Sequence, residues 1–504
     1  MVTQSMDDPT NEAEVTENSP LSKGLEEGTA HPAKGTSKLS EPSSVSDRSE
    51  VQIGDLEDVG MDSTSIRKHV FELAVPALIE QILLTLISMA DMIMVGRLGP
   101  WAITSVGLSN QPMMVAMAVF IALNVGATAL VARFVGANEP REASNVARQA
   151  LMIAVSMGVV LMVVGLVFAE DILLFMGAEE DVIGPGTQYL RIVCLSIPMW
   201  AASISLTAAL RGAGDTKTPM VVNIAANVIN IVFNYFLIFG HFGFPKMEVA
   251  GAAAATSLSR LVACVFMLNR VFKGDKAIKI TIHDSFKFDP KIVKRILNIG
   301  IPAALEQLVL RSGQMAFAKI VSSFGTNTYA AHQIALNIEG LSFAPGTAFQ
   351  ISSTTLVGQS LGAKNSRKAE RIGWETAKIG ALVGVLVGTI YFFFGGYFAY
   401  LYTDDVSVIR LSETALRLIA ISQPFMISQF VFTGALRGAG DVKWTLFITM
   451  AGFWGVRVLF AYVFAIKLGL GLVGAWIGMA SDMMIRCVLA GLRFKSGHWK
   501  YVKV

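Results

Sequence analysis

Twelve apolar runs, each of about 18 residues or more, alternate along this chain with short polar connections. A helix of roughly 20 apolar residues crosses a bilayer core about 30 Å thick, so each run is long enough to span a membrane. Only 16% of the residues are charged, against about 25% in soluble domains. We predict an all-α integral membrane protein with twelve transmembrane helices, at 69–94, 102–131, 147–169, 187–210, 218–239, 250–271, 294–323, 328–357, 374–398, 410–435, 444–465 and 472–494.

Basic residues are concentrated in alternate connections between these spans. The connections after odd-numbered spans hold only Arg97, Lys246 and Lys467, whereas the even-numbered connections and the C-terminus hold many more. Lysine and arginine are retained on the cytoplasmic side of a membrane. We therefore predict a multi-pass protein of the cell (plasma) membrane with both termini in the cytoplasm.

The predicted spans divide the chain into five parts. Residues 1–66 hold fourteen acidic and four basic side chains and few aromatic ones, a composition typical of a disordered tail. An N-lobe is predicted over 67–271 and a C-lobe over 294–495. A basic cytoplasmic linker at 272–293 joins the lobes, and residues 496–504 form a cytoplasmic tail.

The two halves of the chain repeat each other at an offset of 226 residues. The sequence Leu-Arg-Gly-Ala-Gly-Asp occurs at 210–215 and again at 436–441, and Pro76 and Glu80 correspond to Pro302 and Glu306. Each half holds six spans, so both halves start on the same side and are predicted to be parallel repeats. In transporters of this architecture the substrate binds between the halves, which rock to alternate access.

Ionisable side chains inside spans are costly and usually functional. Glu80 and Asp91 are eleven residues apart in the first span, which places them on one helix face about 16 Å apart. We predict that Asp91, Glu80 and Glu306 take part in ion coupling. Two alternatives stay open: Asp91 caps a loop or pairs with Arg97, and Glu306 pairs with Arg311 or, like Glu80, braces a proline-weakened helix.

Two sets of polar residues are predicted to line a substrate cavity. The fifth span carries four asparagines on one stripe, and amides in a bilayer must face protein or water. They either bond helices together or line a wet cavity. The eighth span carries a second set, in which the histidine is alternatively a structural donor. The residues are Asn223, Asn227, Asn230 and Asn234, and His332, Gln333, Asn337 and Glu339.

The motifs typical of enzymes are missing from the sequence. The Gly-x-Gly at 212–214 lacks the spacing and the preceding strand of a phosphate-binding loop, so we interpret it as a tight turn whose Arg and Asp pair between neighbouring loops. The three cysteines are far apart, and no His, Cys and acid cluster suggests a metal site. We predict no enzymatic activity, no metal and no nucleotide, and therefore transport driven by an ion gradient.

Several segments resemble the MATE (multidrug and toxic compound extrusion) family. They are Ala-Asp-Met-Ile-Met-Val-Gly at 90–96, the two Leu-Arg-Gly-Ala-Gly-Asp elements, Ala-Ala-His-Gln-Ile at 330–334 and Leu-Val-Gly-Gln at 356–359. The resemblance covers roughly residues 66–495. It implies a twelve-helix, two-lobe fold and efflux of cationic or amphipathic compounds in exchange for H+ or Na+.

The resemblance also implies roles for individual residues. Asp91 matches the first-span aspartate that the family uses in ion coupling. Asn230 and Asn234 match an Asn…Asp pair of the proton-linked DinF-like branch, with Asn here in place of the Asp. The NorM-like branch uses acids in the seventh and tenth spans, where this chain has Glu306 one turn early and only glutamines. The choice between H+ and Na+ therefore stays open.

The predicted function is that of a secondary active antiporter that exports small organic compounds by rocking of two lobes. The alternative is a lipid-linked oligosaccharide or lipid flippase of the same superfamily, with Arg260, Arg457 and Arg486 at a lateral opening. We expect a small-molecule substrate and the lipid bilayer as partners, no nucleic acid, no cofactor beyond the coupling ion, and a monomer.

Overall fold

The computed structural model describes residues 63–274, 278–281 and 287–502, which form helices joined by short turns. The helix Val442–Lys467 contains two stretches of π-helix. The helices are α1 (Ser63–Gly96), α2 (Pro100–Gly136), α3 (Pro140–Val167), α4 (Ala169–Phe175), α5 (Glu180–Leu195), α6 (Ile197–Gly212), α7 (Lys217–Phe239), α8 (Glu248–Lys273), α9 (Pro290–Ser322), α10 (Thr326–Gly340), α11 (Phe343–Gly362), α12 (Ser366–Tyr400), α13 (Val406–Ala420), α14 (Gln423–Gly438), α15 (Val442–Lys467), α16 (Gly471–Lys495) and a closing 3-10 turn (His498–Tyr501).

The sequence repeat is also a repeat of helix boundaries. The pair α5 and α6 begins at Glu180 and ends at Gly212, and the pair α13 and α14 begins at Val406 and ends at Gly438, each 226 residues later. The same offset relates α2 to the pair α10 and α11. Both halves therefore fold along the same path.

The helices account for the twelve predicted spans. Eight single helices of the described residues are long and apolar enough to cross a membrane, and the bent pairs α5–α6 and α13–α14 raise the number to ten. The other two spans are α9 and the pair α10–α11, which are the repeat counterparts of α1 and α2 and carry more polar side chains. The predicted all-α, two-lobe membrane architecture is confirmed.

Several predicted part boundaries shift at their edges. The acidic tail at 1–66 lies outside the described residues except for 63–66, which already belong to α1. The linker at 272–293 is described only in part, and α9 begins inside it at Pro290. The predicted C-terminal tail is packed against the body, because Trp499 is fully buried, stacks on Phe494 and donates a hydrogen bond to its carbonyl oxygen.

The first helix of each lobe begins in the hydrophobic core of the other lobe. Ile66 and Val70 of α1 belong to the C-lobe core, and Ile292 and Ile296 of α9, their repeat counterparts, belong to the N-lobe core. The C-terminal ends of the two helices pack in the hydrophobic cores of their own lobes. Each helix carries a proline in its interior near this change of partner, where the missing N–H weakens the helix.

One end of the bundle holds the described chain termini and a set of hydrogen bonds between the lobes; we call it the basic end. Arg371 donates to Ser63 there, and Lys500 pairs with Glu370 at 2.6 Å. Across the lobes, the Thr355 hydroxyl donates a hydrogen bond to the carbonyl oxygen of Arg211 at 2.8 Å. Two further side chains donate to backbone carbonyl oxygens of the opposite lobe. The lobes are thus closed against each other at the basic end.

Two glycines allow this close approach between α2 and α11. A Cβ added at Gly136 would collide with the carbonyl oxygen of Gln359, and one added at Gly362 would collide with that of Arg133. The contact is reciprocal, because these four residues form two pairs related by the 226-residue offset. Only a hydrogen at Cα fits between the two backbones.

We predict that Gly136→Val opens the basic end. Overpacking of a tight contact costs about 1–3 kcal/mol, and each 1.4 kcal/mol is about tenfold in population. Spin-label distances across the basic end, measured in nanodiscs, are therefore expected to show a longer-distance population that grows by about fivefold or more. The control is Gly107→Val in the same helix, where an added Cβ meets open space; an unchanged distance distribution in Gly136→Val would contradict this reading of the interface.

Candidate functional site

A cavity of about 670 Å³ lies between the lobes, within the range of pockets that hold drug-sized ligands. Most of its wall comes from the N-lobe helices α1, α2, α6, α7 and α8, and the C-lobe contributes a smaller part. The C-lobe residues that line it are Gln307, Thr347, Gln350, Ile351, Thr354 and Arg437. Arg211 also lines it, and the carbonyl oxygen of Arg211 accepts an interlobe hydrogen bond, so the contacts of the basic end close the cavity on that side.

Asp91 lies in the cavity wall with two amides around its carboxylate. Asn234 donates to Asp91 Oδ1 at 2.6 Å. The amide of Asn230 lies 2.8 Å from the same oxygen when its nitrogen faces Asp91, the orientation that an accepting carboxylate requires. Among the described residues no Lys or Arg forms an ion pair with Asp91, so Arg97 is not its partner.

Some asparagines of the α7 stripe line the cavity, and one lies in the interface between helices. Asn223, Asn227 and Asn230 line the cavity. Asn234 is buried behind the wall and reaches Asp91 instead, and its own Oδ1 is buried without a hydrogen bond. The stripe thus serves both of the purposes that the sequence left open.

Glu80 is held by a salt bridge in the wall of the cavity. Its Oε2 lies 2.7 Å from Arg211 Nη2, and its Oε1 accepts from Asn223 at 2.5 Å. The carboxylate is only 2% exposed. Because α1 and α7 run in parallel, the same eleven-residue step separates Glu80 from Asp91 and Asn223 from Asn234, which gives two acid–amide pairs along one wall.

Glu306 repeats this arrangement in the C-lobe. Arg437 Nη2 lies 2.9 Å from Glu306 Oε2, and Thr449 donates to Oε1 at 2.9 Å. Arg437 and Thr449 are the repeat counterparts of Arg211 and Asn223. Glu306 is buried behind Arg437 and does not line the cavity, and its partner is not the Arg311 considered from the sequence.

The two Leu-Arg-Gly-Ala-Gly-Asp elements form the C-terminal ends of α6 and α14 and the turns that follow. The Arg and the Asp of each element bind different partners. Gly214 has φ +91° and Gly440 +81°, so each chain turns in the left-handed region that favours glycine. The expected pairing of Arg and Asp between loops is wrong, because Arg211 and Arg437 point back to the buried glutamates. Asp215 instead accepts hydrogen bonds from Thr218 at the start of α7.

The polar set of the eighth span lies away from this cavity. His332 and Glu339 are 1% and 2% exposed inside the C-lobe, and Gln333 and Asn337 lie on the exposed face of α10. None of the four lines the cavity, contrary to the expectation from the sequence. The span breaks after Gly340, so that only α11 faces the cavity while α10 packs mainly against α13.

The C-lobe fills the space that corresponds to the N-lobe cavity. Phe453 stands at the repeat position of Asn227, and its ring fits against Gly313. Arg457 covers this ring at 4.2 Å and pairs with Asp482 at 2.8 Å, and Arg486 pairs with the same carboxylate at 2.7 Å. Arg457 and Arg486 are therefore buried inside the C-lobe, where they share the one carboxylate of Asp482, and they do not form the basic lateral opening considered for a flippase.

Comparison with known proteins agrees with this architecture. The family model MatE matches residues 76–236 and 302–463, one match in each half. The chain is 35% identical to a probable multidrug resistance protein NorM of Thermotoga maritima over 447 residues, which is 86% of this chain and 93% of that protein. An uncharacterized transporter, YisQ of Bacillus subtilis, is 29% identical over 87% of this chain and 97% of its own.

The chain belongs to the MATE family.

Solved structures place this MATE transporter beside proteins of the same fold. A MOP superfamily transporter from Pyrococcus furiosus, described by a reverse polarity of its binding pocket, has a TM-score of 0.79 at 27% identity, covering 86% of this chain and 95% of that one. A multidrug resistance MATE transporter in an outward-facing conformation has the same TM-score and identity, with coverage of 86% and 96%.

Three functional candidates of this MATE protein were missed or misread from the sequence. Arg211 and Arg437 were assigned to a turn, although the recurrence of Glu and Arg at one offset signalled that each lobe repeats the same pair. Arg260 was considered only for a lateral opening, yet it lines the central cavity. Spacing along the chain did not show which helices face each other.

We predict that Glu306→Gln destabilises this MATE transporter by roughly 3 kcal/mol, the cost of leaving one member of a buried ion pair without its partner. The double variant Glu306→Gln/Arg437→Gln is expected to recover part of the loss. Denaturant unfolding in detergent micelles measures both. The control is Glu413→Gln, which breaks a half-exposed pair with Arg417 and should cost under about 1 kcal/mol; equal effects at both sites would refute the structural importance of Glu306.

Proposed function

We propose that this MATE protein is a cation-coupled antiporter that exports small amphipathic organic compounds through the central cavity, with Asp91 as the coupling group. We place it in the cell membrane as a monomer, with the basic end in the cytoplasm. The observation that carries the proposal is the environment of Asp91. It is the one acidic side chain of the cavity wall, among the described residues, that forms no salt bridge.

The groups around Asp91 suit a small cation. Its carboxylate lies beside the amides of Asn230 and Asn234, and the hydroxyl of Thr256 lies 3.4 Å from the Asn230 amide. Oxygen atoms of carboxylates, amides and hydroxyls are the ligands that hard cations prefer. Rotation of either amide would turn an oxygen toward a bound Na+, and the unpartnered Asn234 Oδ1 is available for this purpose.

The same amides suit a proton. An ionised Asp91 accepts hydrogen bonds from their nitrogens, whereas a protonated Asp91 donates one to an amide oxygen. Because an amide presents a donor on one side and an acceptor on the other, a half-turn of Asn230 satisfies either protonation state. The Asp91 carboxyl therefore keeps an amide partner whether it is ionised or protonated.

Glu80 and Glu306 have a different part in the proposed mechanism. Each is bound to an arginine and to a side chain of a third helix, which favours the bracing alternative over direct ion coupling. The pairs join helices within a lobe, so they can persist while the lobes rock. The contacts at the basic end lie between lobes, and these are the ones that must break when the cavity opens to that side.

We predict that Asp91→Asn abolishes cation-driven export. The amide keeps the size of the side chain and removes the charge that binds a cation, so initial rates of dye export from proteoliposomes should fall at least 20-fold. Imposed H+ and Na+ gradients are applied separately, and the one that drives wild-type export identifies the coupling ion.

The matched control is Asp171→Asn, an exposed acid of α4, which should transport like the wild type. Full gradient-driven export by Asp91→Asn would refute the coupling role. Export by the wild type that continues unchanged without any H+ or Na+ gradient would refute antiport.

A further inference from the structure

Three arginines line the central cavity, and two of them are neutralised. Arg211 is paired with Glu80 and Arg437 with Glu306. The third, Arg260 of α8, forms no ion pair with any of the described residues, and the bond that holds it is to the hydroxyl of Ser196, at 3.0 Å from Nη1. Together with Asp91, the cavity therefore presents one unpaired charge of each sign.

The guanidinium of Arg260 is held in place with donors to spare. It stacks over the indole of Trp200, with its Cζ 4.6 Å from the ring centroid. None of its nitrogens is sealed in the protein without a partner, so Nε and Nη2 have access to the cavity. A fixed guanidinium with free N–H groups matches the two oxygens of a carboxylate, and it stays charged at every physiological pH.

The wall beside Arg260 is aromatic. Trp200 meets Phe120 edge to face, with ring centroids 5.6 Å apart, and both residues line the cavity with Met117 and Ile204. Flat aromatic groups stack on such a wall. The basic group, the aromatic wall and the acidic group at Asp91 all belong to the N-lobe side of one cavity.

We propose that the cavity selects zwitterionic aromatic compounds, with the carboxylate of the substrate bound to Arg260 and its cationic group directed toward Asp91. The proposal rests on the proposed function and names its substrate class. A buried arginine without a counter-ion is expensive in a bilayer, and a bound carboxylate removes that cost. Esterification of the same compound would leave Arg260 unpaired.

This arrangement is compatible with antiport. The cationic group of the substrate and the coupling cation compete for Asp91, so binding of one favours release of the other. Arg260 keeps its charge throughout and contributes to the affinity for the substrate. Loss of Arg260 should therefore change which compounds bind while leaving the coupling intact.

Two dyes that differ only at the carboxylate test the proposal. Rhodamine 110 has a free carboxylate on a cationic chromophore, and rhodamine 123 is its methyl ester. Fluorescence polarisation of the full chain in nanodiscs is expected to show at least tenfold tighter binding of rhodamine 110. In Arg260→Gln the preference should fall below twofold. Arg260→Lys, which keeps the charge but not the two-pronged geometry, should retain an intermediate preference.

The control is Arg191→Gln, an exposed arginine outside the cavity, which should keep the wild-type preference. No binding of rhodamine 110, equal binding of both dyes by the wild type, or an undiminished preference in Arg260→Gln would each overturn the inference. Failure of the proposed function has a separate signature, because it appears as absence of gradient-driven export of either dye by wild-type proteoliposomes, whatever the dyes' affinities.

Discussion

The organisation of this protein depends on how charges are compensated inside a membrane. A buried glutamate or arginine is tolerated there when a partner of opposite charge is held beside it, and each lobe meets this requirement with one Glu–Arg pair. Glu80–Arg211 and Glu306–Arg437 connect the first span of each lobe to its fourth, while Asn223 or Thr449 adds the fifth. Once these charges are satisfied, Asp91 and Arg260 are the charged side chains of the cavity wall that form no salt bridge with any described residue, and the proposed chemistry belongs to them.

The two lobes use one scaffold for different purposes. In the N-lobe, asparagines and a carboxylate border an open cavity, whereas in the C-lobe the corresponding space holds Phe453 and the Arg457–Asp482–Arg486 cluster. A phenylalanine stands at the position of Asn227, and Gly313 makes room for its ring, so this part of the C-lobe is packed where the N-lobe has a cavity wall. Duplication therefore preserved the backbone and the bracing pair, and the side chains at a few counterpart positions decide which lobe can bind ions and substrate.

Much of the site could be inferred from the sequence because helical spacing fixes which residues share a face. The eleven-residue step from Glu80 to Asp91 predicted a polar face on the first span, and the stripe from Asn223 to Asn234 predicted another on the fifth. In the structure α1 and α7 bring these two faces together. The prediction that His332 and Glu339 line the cavity was wrong, because helical spacing does not show where a span is broken. They share a face of their span, but the break after Gly340 separates that face from the half that meets the cavity.

The sequence by itself determined the membrane class, the number of spans, the parallel duplication and the positions of the polar residues, because these follow from hydrophobicity, charge and the period of a helix. Only the tertiary structure decided the pairing. It decided which acid meets which arginine, and that α1 and α9 begin in the opposite lobe. It also decided that Arg260 has no counter-ion among the described residues. All of these depend on contacts between residues some 60 to 310 positions apart. Such contacts arise from how helices pack against each other, and the hydrophobic period of one helix does not show which helix packs against it.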